Sequence, residues 1–85
     1  MAHLVLDTLV VHELDLSIAA SDIAARPDEW RRVLTARSRA EYVKGMFAFA
    51  GMELIDYDNA DVRRDQSGNF RAKVRSAHWT ARQPA

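Results

Sequence analysis

The stretch His3-Leu4-Val5-Leu6-Asp7-Thr8-Leu9-Val10-Val11-His12-Glu13-Leu14-Asp15-Leu16-Ser17-Ile18-Ala19-Ala20 decides the fold. Leu4, Leu6, Val10, Leu14, Leu16, Ile18 and Ala20 all fall at even positions, while Asp7, Glu13, Asp15 and Ser17 are odd. A period of two, carried by leucine and β-branched residues, predicts a strand with one buried face. Val5, Leu9 and Val11 break the pattern in the first half, which predicts burial on both faces there. The competing helical spacing of Leu6, Val10, Leu14 and Ile18 leaves the other apolar residues scattered around the axis. A strand of about 16 residues exceeds the usual 3–10, and no Gly or Pro supplies a turn. The strand is therefore expected to bend near Asp7–Thr8 or His12, or to run past its own domain and pair with another chain.

Downstream the period changes. Ser21 and Asp22 suit a short helical turn over Ser21–Ala25, and Pro27, Asp28 and Glu29 suit the first turn of a longer helix. Trp30, Val33, Leu34, Tyr42, Val43, Met46, Phe47 and Ala50 keep helical spacing, interrupted over Arg37–Ala40, and Gly51 is a natural stop. Gly45 costs about 1 kcal/mol relative to Ala inside a helix and is expected to mark a close approach to the sheet. Met52–Tyr57 and Val62–Arg64 then read as strands, with turns at Asp58–Asp61 and Gln66–Asn69. In Phe70–Trp79, Phe70, Ala72, Val74 and Ser76 alternate with Arg71, Lys73 and Arg75. The expected fold is α+β, in β-α-β-β-β order. One main helix packs on a small, mostly antiparallel sheet whose first strand is long or bent. Residues 1–79 form a single domain and 80–85 a polar tail.

The chain has 85 residues, 12 Lys+Arg, 12 Asp+Glu and no cysteine. That length holds one domain. The absence of cysteine removes disulfides, thiolate metal sites and a cysteine nucleophile. Hydrophobic residues make up 48% of the chain, which excludes disorder, but 14 of them are alanines that bury little area. A core this lean makes homo-oligomerisation an expected source of further burial. Met1–His3 offers no basic segment before an apolar run, and Met46–Met52 is far shorter than the roughly 20 residues of a membrane span. A soluble cytoplasmic protein is expected. Ten arginines against two lysines fit a GC-rich bacterial or phage coding sequence.

The zero net charge hides four uneven blocks. Residues 1–28 carry −4, 29–50 carry +3, 51–61 carry −4 and 62–85 carry +5. Acidic strands lying beside basic ones would account for this internally. A working basic surface is the sharper alternative. Arg71, Lys73 and Arg75 recur about 7 Å apart along one strand face, close to the phosphate spacing of one nucleic-acid strand. Arg63, Arg64 and Trp79, with His78, would widen it. The same cations suit an acidic protein surface.

Little in the sequence selects catalysis. His3, His12 and His78 share no metal-ligand spacing, and His12, at an even position, is expected to be partly buried and structural. Asp56–Asp61 fails as a calcium loop, because Ala60, Asp61 and Ser67 stand at its fifth, sixth and twelfth positions. Asp28, Glu41 and Lys44 read as helical, which does not suit a metal-dependent nuclease. There is no glycine-rich phosphate loop, Gly-x-Ser-x-Gly or His-Glu-x-x-His. Phe49 lies about 100° from Ala50 on a helix, off the main stripe, so an exposed Phe49 at a protein interface is expected beside Leu14 and Leu16 of the long strand.

These readings converge on a non-enzymatic macromolecular interaction module without cofactor, metal or small-molecule substrate. It is expected to be a homo-oligomeric phage or bacterial accessory, assembly or inhibitor protein that binds protein, its own copies included. The alternative is a nucleic-acid-binding accessory protein using residues 69–79. A third possibility is a regulator whose acidic segments, 7–28 and 53–61, occupy a host protein's nucleic-acid site.

Overall fold

The computed structural model describes residues 9–81. Strand β1 (Leu9–Ile18) leads into three helices, α1 (Ala20–Ala25), α2 (Pro27–Leu34) and α3 (Arg39–Phe49). They are followed by β2 (Met52–Asp56), β3 (Asn59–Arg64) and β4 (Phe70–Ala81). The class is α+β, with a four-stranded antiparallel sheet. The beginning of the expected long strand, including its possible bend at Asp7–Thr8, lies outside the described residues, as does the tail from 82 onward. Thr80 and Ala81 belong to β4 rather than to a tail, and Thr80 is buried.

β4 is the centre of the sheet. β1 runs along one edge, from Leu9 opposite Trp79 to Ile18 opposite Phe70. Two short strands share the other edge end to end. β3 pairs with Phe70–Arg75, and β2 pairs with His78–Ala81 through an irregularity between Leu54 and Asp56. The turn Asp58 sits where one hands over to the other, its N–H donating to the Arg75 carbonyl at 2.9 Å.

The helices cover one face of this sheet. Leu16, Ile18, Leu54, Ala72, Val74 and Ala77 meet Trp30, Val33, Val43, Met46, Phe47 and Phe49 in one core. Phe47, Met46, Val43 and Val74 are fully enclosed. Complete burial of each large apolar side chain contributes about 1.5–3 kcal/mol. Trp30 of α2 packs edge-on against Phe49 of α3 at 5.2 Å and against Phe70 of β4 at 5.0 Å, so one aromatic cluster joins three elements. Arg26 covers the outer side of Phe49, its guanidinium 3.8 Å from the ring centre and its Nη2 donating to the Phe49 carbonyl at 3.0 Å.

Several expectations need correction. The single main helix is two, because Thr35–Ser38 breaks it. Ser38 caps α3, its Oγ accepting from the Glu41 N–H at 3.1 Å, while the Glu41 carboxylate accepts from the Arg37 N–H at 3.0 Å. Phe49 is 6% exposed. It is buried because α3 is covered by α2 as well as by the sheet, so its apolar surface is wider than one stripe. Leu16 faces the helices in the core and Leu14 is half-buried against them, so neither forms a free surface. Gly45 approaches α2 rather than the sheet, since a Cβ there would lie 3.7 Å from Val33. His12 is exposed, because alternation fails at its position and at its neighbour across the ladder. That neighbour, Ser76, has φ of +50°, so it leaves the core face and Ala77 replaces it.

Candidate functional site

The uncovered face of the sheet is built from the odd positions of β1, β3 and β4. Paired registers set its charged side chains in three cross-strand rows. Glu13, Arg75 and Asn59 form the first, Asp15, Lys73 and Asp61 the second, and Ser17, Arg71 and Arg63 the third. All nine are exposed. The central strand thus presents a basic stripe flanked on the β1 side by acids. Directly opposed side chains of an antiparallel pair stand about 4.5–5.5 Å apart at Cβ, close enough for each charge to feel its row.

The rows differ in balance. In the first, Arg75 lies opposite Glu13. In the second, Lys73 stands between two carboxylates, and its Nζ also reaches diagonally to Glu13 Oε1 at 3.6 Å. In the third, two guanidinium groups oppose each other with a serine hydroxyl beside them and no acid in the row. Arg63 keeps one contact within its strand, its Nε donating to Asp61 Oδ2 at 3.2 Å. The Arg71 side chain makes no hydrogen bond or ion pair among the described residues. The second and third rows line a shallow depression of about 570 Å³, walled by Asp15, Ser17, Asp61, Arg63, Arg71 and Lys73.

A hairpin turn fixes the end of this face. The Asp65 carboxylate accepts from the Asn69 Nδ2 at 3.0 Å and from the Asn69 and Ser67 backbone N–H groups at 3.0 and 2.9 Å. The bond from the Asn69 side chain, then that from its backbone, holds the Asp65 carboxyl below the ordinary carboxylate range, assisted by the Ser67 N–H and by the positive charge of Arg71. Asn69 in turn accepts from the Ala20 N–H at 2.8 Å, which ties the β3–β4 turn to the start of α1.

Four of the six expected cationic or aromatic site residues share this face: Arg63, Arg71, Lys73 and Arg75. Arg64 points to the other side, its guanidinium 5.5 Å from the Phe70 ring centre. Trp79 packs against the core, and its buried Nε1 has no hydrogen-bond partner among the described residues. It gives no stacking platform beside Arg71. The residues that sequence reasoning missed are the partners Ser17, Asp15, Glu13 and Asp61. The odd parity of the first three was visible, but their opposition to Arg71, Lys73 and Arg75 depends on a pairing between the two ends of the chain.

Among the described residues no group of three or more His, Asp or Glu side chains is placed to hold a metal ion, and no helix is long and apolar enough to cross a membrane. The chain matches no protein-family model, no curated protein and no solved structure.

Proposed function

We propose that this chain is a non-enzymatic interaction module of a bacterium or phage that works in the cytoplasm. It acts as an accessory, assembly or inhibitor protein by presenting the uncovered face of its sheet to a protein partner, with a second copy of itself as one such partner. The observation that carries this reading is the contrast between the two faces. One is sealed by helices over an apolar core, and the other displays seven charged side chains of both signs at fixed registers. Mixed charge of this kind sets specificity and orientation in protein recognition more than raw affinity. Sedimentation velocity over a range of concentrations tests the self-partner. The expected result is a dimer that weakens as salt rises, and a monomer at every concentration rejects it.

Nucleic-acid binding by Arg63, Arg71, Lys73 and Arg75 is the second reading, favoured by their placement on one exposed face. Lys73 and Arg63 already hold carboxylates, so Arg71 and Arg75 are the freer cations. Two phosphate contacts give a slope of log affinity against log salt of about −2. A gel shift that shows no complex at low salt removes this reading.

A further inference from the structure

We infer that the Ser17–Arg71–Arg63 row is an oxyanion site that receives a carboxylate from an acidic segment of a partner protein. This rests on the reading of the uncovered face as the binding surface, and it names which part of that face takes which chemistry. Like charges directly opposite each other in a ladder are destabilising, and the rows beside this one avoid them. Arg75 faces Glu13, and Lys73 has Asp15 on one side and Asp61 on the other. Among the described residues, only at Arg71 and Arg63 do two cations oppose each other with no acid in the row. Arg71 keeps its whole donor set free among the described residues, and the Nη groups of Arg63 are free beside the Nε–Asp61 bond.

The chemistry of the row suits one compact anion. A guanidinium offers a planar fork that pairs two oxygens at once, and the Ser17 hydroxyl can donate a further hydrogen bond. The depression formed with the neighbouring row gives such a group room to seat. A carboxylate is favoured over a phosphate chain by what lies next to the row. A nucleic-acid strand following β4 would bring its next charges about 7 Å further on, over Lys73, where Asp15 and Asp61 repel them. A protein segment can set an acid on the arginines and a neutral or basic residue on the two aspartates.

The test is a 1H–15N NMR titration of the full chain at low ionic strength. Separate arms use a short peptide with one glutamate set among glycine and lysine residues, inorganic phosphate and an oligodeoxythymidylate. The single-glutamate peptide is expected to shift Ser17, Arg63 and Arg71 signals saturably, with phosphate shifting the same signals more weakly. Arg71→Gln, or Arg63→Gln should that variant lose its native spectrum, is expected to weaken the peptide about tenfold. Arg39→Gln, at the exposed start of α3, is expected to leave it unchanged. The inference is overturned by shifts that do not saturate or centre elsewhere, by an unchanged affinity in a folded arginine variant, or by tighter binding of oligodeoxythymidylate than of the peptide. Self-association measured by sedimentation is independent of these titrations, so failure of the oxyanion site leaves the broader reading separately testable.

Discussion

Asp65 is the residue on which the β3–β4 turn depends. Its carboxylate accepts three hydrogen bonds, and Gly68 beside it occupies a φ of +86° that side chains rarely adopt. Because those bonds favour the charged form, the folded-state pKa of Asp65 lies below its ordinary value of 3.8. A carboxyl with a lowered folded pKa contributes stability that is complete above its unfolded pKa and disappears as pH falls through the folded one. Asp65→Ala is therefore expected to lower Tm at neutral pH, with the difference from the parent shrinking below about pH 4. Thermal melts of both proteins across pH 2–7 measure this, and a difference that stays constant through the acid range refutes it. Gly45 makes the opposite case. It lies inside α3, and a Cβ would meet Val33 at an ordinary 3.7 Å. Gly45→Ala should then stabilise the fold by about 0.5–1 kcal/mol, read from urea unfolding, whereas a loss of stability would mean that α2 cannot accept the methyl group.

Among the elements, the break between α2 and α3 shows most clearly what a sequence conveys and what it hides. Ser38-Arg39-Ala40-Glu41 has the Ser-x-x-Glu spacing of a capping box, and the structure uses both ends, with the glutamate turned back to the Arg37 N–H. Ser38→Ala is expected to cost about 1 kcal/mol and to speed amide exchange at Glu41 first, while protection at Val43 and beyond follows global unfolding. Uniform loss of protection would show that the cap does not act locally. The motif is legible, yet the apolar spacing that resumes beyond it suggests one helix, since two helices packed on each other bury the same stripe. The strands were legible wherever alternation held, as in Leu14–Ile18 and Phe70–Arg75. The exception is Ser76, whose positive φ switches the core face to Ala77 and leaves His12 exposed. A backbone irregularity of that kind has no marker in side-chain type, because serine is common on either face. The burial of Phe49 escapes periodicity for a different reason. Periodicity assigns one face per helix, and a helix covered on two sides buries residues that the period places outside.

At the scale of the whole molecule, the uncovered sheet face matches its charges row by row with one omission, and the omission separates stability from binding. Lys73 stands between Asp15 and Asp61 and also meets Glu13. Lys73→Glu sets three carboxylates across one row, and exposed pairs of this kind are each worth a few tenths of a kcal/mol. The variant is expected to lose roughly 1 kcal/mol at low salt and to recover much of it in 1 M salt, where screening acts over about 3 Å. Arg71→Glu reverses a charge of the same strand, one row away, with a different consequence. It replaces a repulsion with an attraction to Arg63, while the loss of Arg71's pull on Asp65 offsets part of that gain. Its stability in low salt is expected to equal or exceed the parent's, even as binding of the single-glutamate peptide disappears. Urea unfolding of the two variants at both salt concentrations, beside the peptide titration, decides the matter. Equal destabilisation by the two reversals would mean that the arginine row is held by contacts within the fold and is not kept at a cost to stability. Leu16→Lys offers a reference for the covered face. At 8% exposure beneath the helices, a lysine there must bury its charge or open the core, so unfolding is expected rather than dissociation of a folded dimer. A folded monomer from that substitution would instead place β1 at an interface between copies.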